Sequence, residues 1–410
     1  MNSSRRVVSD MPERDQPHGE VTGTSQGTVA PPKPTSRIQS IDIVRGAVMV
    51  LMAIDHVRVY SGIPAGGPAP DIFLTRWITH FCAPAFAFLA GVAAFLYGRK
   101  FIDKRPLAKY LVTRGLLLVM LELTVLRLAW TFNFNYSQFV LAGVIWMLGW
   151  SMVLLAGLVH LPAKVVGVIG LAIIFFQQVF RFPPLLLPAQ LRGTVGWIWE
   201  FVYPAGGQSW AGITILYVLV PWIGVMAAGY GFGAIMLRES GERRKLCLRI
   251  GLSATALFLV AGSLAILLHF QPAKAAPFWM CLLNQQKYPA SQLYLLMTLG
   301  PTIALLPLAE RARGWFAGVL STFGRVPMFY YLLHIPLIHI AALIVMFLRE
   351  GAIHPEWYAT APYTYLPPPH RWGLGLLYLV WVIVVGLLYF ACRWFAGVKA
   401  RRPQTWLSYI

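Results

Sequence analysis

From about residue 38 onward the chain alternates long apolar runs with short polar breaks. The runs fall at roughly 41–60, 76–97, 108–130, 138–160, 163–182, 210–236, 249–270, 291–309, 317–347 and 373–396. About 20 consecutive apolar residues are enough for a helix to cross a bilayer. The runs are continuous rather than alternating, which argues against a β-barrel. Composition agrees, at 58% hydrophobic and 12% charged, about half the charged share of a soluble domain. A cytosolic enzyme, a disordered chain and a disulfide-rich secreted domain are thereby excluded. The expected fold class is all-α, a polytopic membrane helix bundle of about ten transmembrane helices. The 317–347 run is long enough to hold a half-helix followed by a span.

The formal net charge of +19 would suggest nucleic acid in a soluble protein. Its placement gives another reading. With the N-terminus cytoplasmic, 24 of the 34 Lys and Arg residues fall in inner segments and 8 in outer ones, with Arg127 and Arg325 in or near spans. An inside excess of that size over ten alternations matches the positive-inside rule and puts both termini in the cytoplasm. No nucleic-acid partner is then needed, and anionic headgroups can add to the binding of these segments. The expected organisation is a polar, disordered cytoplasmic tail over 1–36, a transmembrane domain over 37–397 and a cytoplasmic C-terminal tail over 398–410. No cleavable signal is expected, because no apolar region follows Arg5-Arg6. Cys82, Cys247, Cys281 and Cys392 are scattered, with no C-x-x-C pair, and read as reduced thiols rather than metal ligands.

Ionisable residues inside a span are expensive, so each is a functional candidate. The first run is the densest. Asp42 and Arg45 are three apart and share a helix face. They read either as a local pair that seats the helix end or as part of a polar wall. Asp55 and His56 follow about 15 Å further along the helix, and histidine is the side chain best suited to proton transfer near neutral pH. Arg76 and His80, at i and i+4, face the same way at the start of the second run. With a short loop between the runs, they are expected to converge on Asp55, His56 and Arg58. A metal held by His56, His80 and Asp55 is not specified by any spacing, and none is expected. Glu122 and Arg127 sit five apart in the third run and need partners on other helices or a cavity. Arg325 precedes Pro327 at an expected helix break, and Tyr330, His334 and Tyr331 follow where they can project into the bundle. His339 reads as structural. Two outer segments are aromatic, one with Trp197, Trp199, Tyr203 and Trp210 around Gly206-Gly207, the other with Trp357, Tyr358, Tyr363 and Tyr365 before three prolines. They serve as interfacial belts or as stacking platforms for a sugar. Walker A, G-x-S-x-G, G-x-G-x-x-G and H-E-x-x-H motifs are all absent.

The segments Ser40-Ile-Asp-Ile-Val-Arg-Gly-Ala47, Met52-Ala-Ile-Asp-His-Val-Arg58 and Thr75-Arg-Trp-Ile-Thr-His-Phe-Cys-Ala-Pro-Ala-Phe-Ala-Phe-Leu-Ala-Gly91 resemble the bacterial branch of the heparan-alpha-glucosaminide N-acetyltransferase catalytic-domain family. The likeness continues at Arg114 to Leu116, Glu122 to Val125, Val144 to Met152, Pro221 to Tyr230, Lys287 to Ser291 and Gly324 to His334, over roughly residues 37–395. The resemblance implies a transmembrane acyltransferase in a bacterial inner membrane. It implies that an acetyl or other acyl group moves from cytosolic acyl-CoA to a sugar or glycan acceptor on the far side. The lysosomal member acetylates the amino group of a terminal glucosamine, and its catalytic histidine lies in the loop between the first two motif helices. This chain has no histidine between residues 57 and 79. The role is therefore assigned to His56, with Asp55 beside it and His80 as the fallback.

On this reading Asp42, Arg45, Arg76, Glu122, Lys287, Arg325, Tyr330 and His334 bind acyl donor or substrate. Arg45, with Arg99, Lys100 and Arg114 nearby, would hold the CoA phosphates at a basic mouth. His56 would act as a general base or form an acyl-histidine, with Asp55 or another carboxylate orienting it and Arg76, Arg325 or a histidine stabilising the oxyanion. The expected partners are the bilayer, acyl-CoA, a glycan acceptor and a second copy in a homodimer. The rival reading is a transporter or lipid flippase with the same residues along a solute path. Matched broken helices in two halves would favour it, and the sequence shows none.

Overall fold

The computed structural model describes residues 38–66, 69–137, 139–204, 212–269 and 276–401. The expected tail over 1–36, the end of the C-terminal tail, Gly206-Gly207 and Trp210 lie outside the described residues. Of the described residues 77% are helical.

The order begins with α1 (Gln39–Ser61). Next come α2 (Pro70–Trp77), a 3₁₀ turn (Ile78–Phe81) and α3 (Cys82–Gly98). α4 (Arg105–Leu121) runs through a π-helical turn (Glu122–Leu126) into α5 (Arg127–Thr131). Then follow β1 (Val140–Ala142), α6 (Val144–Leu158), α7 (Ala163–Phe175), α8 (Pro183–Leu186), α9 (Ala189–Val202) and β2 (Ile213–Ile215). The chain continues through α10 (Trp222–Phe232), α11 (Ser240–His269), α12 (Phe278–Leu283), α13 (Gln292–Arg311), α14 (Trp315–Arg325), α15 (Pro327–Glu350) and α16 (Leu374–Arg401). The two short strands pair in parallel, Val140 opposite Ile213 and Ala142 opposite Ile215.

By length and composition, five helical stretches suffice to cross a membrane: Pro70–Gly98, Ser240–Leu268, Gln292–Arg311, Pro327–Glu350 and Leu374–Arg401. Three shorter apolar helices, Val144–Leu158, Ala163–Phe175 and Trp222–Leu237, accompany them. The protein is thus a helical integral membrane protein, but several expected spans are not single uninterrupted helices. The run at 163–182 stops as α-helix at Phe175, ahead of Gln177, Gln178 and the Pro183-Pro184 pair. The run at 210–236 becomes α-helical only after Pro221, with strand β2 before it. The 317–347 run divides at Val326, where Pro327 opens α15, the first-turn position at which proline's missing N–H is harmless. α1 has the length to span, at 23 residues, but Asp42, Arg45, Asp55, His56 and Arg58 dilute its hydropathy.

The most extensive helix contacts are α11 on α13, α4 on α6, α7 on α10, α3 on α10 and α1 on α14. Each crossing has a glycine on both sides: Gly251 and Gly300, Gly115 and Gly149, Gly170 and Gly224, Gly91 and Gly229, Gly46 and Gly324. Between helices in lipid the attraction comes from close packing rather than from the hydrophobic effect, so small residues mark the contacts. The α1–α14 crossing is among the tightest. A Cβ on Gly46 would overlap the carbonyl of Leu320, and one on Gly324 would overlap the carbonyl of Asp42. This fixes α1 against α14 and, through the short break at Val326, sets where α15 passes the far end of α1.

Candidate active site

A cavity of about 460 Å³ opens around the C-terminal end of α1. Its wall includes Asp55, His56 and Arg58 from α1, Glu122 from the π-helical turn, Trp130 from α5 and Tyr331 from α15. Loops complete it with Ile63, Tyr217, Lys287, Tyr288 and the 362–366 strap. α1 ends there on Gly62, whose positive φ of 72° closes the helix and turns the chain back over the cavity.

His56 is the centre of an aromatic and imidazole cluster. Its Nδ1 lies 2.6 Å from Nε2 of His334 on α15, and the two rings stack with centroids 4.8 Å apart. Trp130 meets the same imidazole edge-on at 5.0 Å. His334 is fully buried. Its Nδ1 lies 2.7 Å from the carbonyl oxygen of Tyr331 and 3.2 Å from that of Tyr330. Pro336 sits inside α15, where it cannot donate to the carbonyl four residues back.

Asp55 does not turn toward His56. Arg58 donates from Nε to Asp55 Oδ1 at 2.9 Å and from Nη1 to Ile63 O at 3.0 Å. The orienting partner expected from a carboxylate is thus an imidazole instead, because an i, i+3 pair on one helix face reaches more easily than adjacent residues about 100° apart. Glu122 lines the cavity but has a structural task too. It accepts from the amides of Ile145 at 3.0 Å and Trp146 at 3.3 Å, in the first turn of α6. Two otherwise unpaired helix donors and the positive end of the helix dipole hold that carboxylate.

Lys287 reaches the cavity from the loop between α12 and α13. Its Nζ lies 5.2 Å from the ring centre of Tyr288 and 5.9 Å from that of Tyr217. Among the described residues it pairs with no carboxylate within 4.0 Å. Burial opposes its charge while Tyr288, Tyr294 and Asp55 favour it. The balance holds the ammonium above the ordinary lysine range.

The other candidates lie elsewhere. His80 does not line the cavity, although its neighbour Thr79 does. It is 3% exposed, packs at 5.5 Å on Tyr294, and neither ring nitrogen has a hydrogen-bond partner. The expected convergence on the cavity is not formed, since neither Arg76 nor His80 lines it: Arg76 lies at the end of α2 and His80 sits in the 3₁₀ turn that follows, between the wall residues Thr79 and Cys82. His56, His80 and Asp55 form no metal-binding group among the described residues. Asp42 and Arg45 pair at 3.7 Å near the start of α1, and Arg45 donates to Gly324 O at 3.2 Å. Arg325, next to Gly324, is exposed at that level. It is about 20 Å from His56 along α1, too far to stabilise an oxyanion there. Tyr330 is buried, donates to Met49 O at 3.1 Å and stacks on His334. Arg127 donates to the carbonyls of Phe139, Asn133 and Asn135, so it pins a loop. His339 stacks on Phe132 at 3.9 Å, in keeping with a structural role.

Sequence reasoning missed Trp130, Tyr217, Tyr288 and Arg371 as cavity residues. Tyr363 and Tyr365 were visible only as members of an aromatic, proline-rich cluster. Residues 37–272 match the family of the heparan-alpha-glucosaminide N-acetyltransferase catalytic domain, more than half of the chain. The chain belongs to that family. Among curated proteins none matches it significantly. His56 and Glu122 lie within the matched stretch. Lys287, Tyr331, His334 and the strap over 362–366 lie beyond it, so residues outside the match complete the cavity of this heparan-alpha-glucosaminide N-acetyltransferase family member.

Proposed function

We propose that this protein is a membrane acyltransferase that moves an acetyl or acyl group from cytosolic acyl-CoA to an amino or hydroxyl group of a sugar or glycan. The setting proposed is a bacterial cytoplasmic membrane, with the acceptor at the outer face. The observation that supports this most is His56, a proton-transfer group on the wall of a cavity whose size suits a sugar unit. With Nδ1 engaged by His334, the nitrogen left for a substrate is Nε2.

The acceptor nitrogen or oxygen attacks the thioester carbonyl as His56 Nε2 takes its proton. The new C–N or C–O bond forms, the C–S bond breaks, and the proton passes to the departing CoA sulfur. Lys287 supplies the positive charge nearest the developing oxyanion, in place of Arg76 or Arg325. Tyr217, Tyr288, Tyr363 and Tyr365 offer ring faces for the acceptor. Arg45, with Asp42 at the opposite end of α1, is the candidate for the donor's phosphates.

The test is to supply radiolabelled acetyl-CoA and glucosamine to the purified protein in lipid nanodiscs and to analyse the sugar. Label transferred to the amino or a hydroxyl group is expected. Protein that neither binds acetyl-CoA nor labels any amino or hydroxyl sugar would overturn the proposal and favour transport.

A further inference from the structure

We infer that His334 is a positioning residue that sets the tautomer of His56, so that the two histidines work as a neutral imidazole dyad. This goes beyond the proposed reaction by assigning a task to His334, and it rests on that reading only for its kinetic arm.

The protons can be placed from hydrogen-bond chemistry alone. Nδ1 of His334 faces the carbonyl oxygens of Tyr331 and Tyr330, at 2.7 Å and 3.2 Å. A carbonyl oxygen can only accept, so His334 Nδ1 carries a proton. A neutral imidazole has a single N–H, which leaves His334 Nε2 as a lone pair. That lone pair lies 2.6 Å from His56 Nδ1, a contact that needs one proton between the two nitrogens. His56 must supply it from Nδ1, and its Nε2 is then the free base. A backbone carbonyl on α15 thus dictates, through two rings, which nitrogen of His56 can accept a proton.

The surroundings keep the relay in this form. His334 is sealed from solvent by Tyr330, stacked at 5.3 Å, and Tyr331, edge-on at 4.9 Å. Among the described residues no carboxylate takes the role: Asp55 is paired with Arg58, and Glu122 caps α6. When His56 takes a proton at Nε2, its Nδ1–H stays in place and His334 Nε2 stabilises the imidazolium. This is the orienting task of the buried aspartate in a serine-protease triad, done here by a neutral ring.

The experiment is ¹⁵N NMR of histidine-labelled protein in nanodiscs, with transfer kinetics on the same samples. The wild-type spectrum is expected to show His56 protonated at Nδ1 and bare at Nε2. His334→Phe fills the space without an acceptor. It should release His56 into the other tautomer and lower kcat by about 10²–10³-fold, short of the roughly 10⁴-fold loss seen when a triad tautomer is wrong, with KM for acetyl-CoA within three-fold. His334→Gln restores an acceptor oxygen and should recover kcat to within about ten-fold of wild type. Wild-type His56 found protonated at Nε2 overturns the inference, and so do phenylalanine and glutamine variants that behave alike. If His334→Phe fails to fold, the wild-type spectrum and the glutamine variant still decide. The expected tautomer in a protein that transfers no acetyl group would uphold the dyad and remove the proposed reaction.

Discussion

Arg58 and Asp55 form an ion pair of 2.9 Å one turn apart on α1, and the same guanidinium holds the carbonyl of Ile63. The carboxylate beside the candidate base therefore anchors the helix end and the loop that folds over the cavity. Arg58→Met should strip Asp55 of its partner at a nearly buried position. The expected loss is about 1–3 kcal/mol, reduced from the cost of breaking a fully buried pair because Asp55 keeps some solvent contact. Thermal unfolding in detergent measures it. A transition unchanged from wild type would show that the pair contributes nothing.

Glu122 separates cavity chemistry from helix capping. Glu122→Gln keeps an oxygen for the Ile145 and Trp146 amides and loses only the charge–dipole attraction, about 0.5–2 kcal/mol. Glu122→Ala leaves buried donors without an acceptor, which costs about 1–3 kcal/mol for each. Stability should fall in the order wild type, Gln, Ala. Equal stability for Gln and Ala would contradict the capping geometry.

The glycine crossings give a packing test with its own control. Gly324→Ala places a methyl group against the Asp42 backbone and should force α1 and α14 apart, lowering stability by about 1–3 kcal/mol or more. Gly318→Ala on the same helix meets nothing within 4 Å and should gain slightly from helix propensity. Comparing the two by thermal unfolding removes any general effect of alanine on α14.

Direct transfer and an acyl-histidine intermediate differ in one observable. With His56 serving as a base, wild-type protein mixed with radiolabelled acetyl-CoA and no acceptor should retain no covalent label after a rapid quench. Label on His56, located by mass spectrometry of the digest, would establish the covalent route.

The features legible in the sequence were those that stand out against an apolar background. Asp55, His56 and Glu122 were visible because a titratable group inside a hydrophobic run needs a reason, and the break before Pro327 because proline constrains the residue ahead of it. The run at 163–182 is helical but changes from α to 3₁₀ after Phe175, and the run at 210–236 holds a strand and a turn before its helix, because hydropathy does not distinguish these conformations. The partnership of His56 with His334 spans 278 positions, and no local period encodes it. Tyr217, Tyr288 and Arg371 come from three loops whose convergence is set by helix packing. His80 looked like a partner of His56 on spacing, yet it is buried in a 3₁₀ turn and does not line the cavity. The i, i+4 expectation assumed an unbroken α-helix, and a 3₁₀ turn has 3.0 residues per turn rather than 3.6.

The role of His56 is tested most directly by steady-state acetyl transfer with His56→Gln in nanodiscs, beside wild type at matched thermal stability. The expected result is a fall in kcat of at least about 10²-fold, the usual contribution of a general base, with acetyl-CoA binding retained. A His56→Gln protein that transfers acetyl groups at the wild-type rate would contradict the assignment.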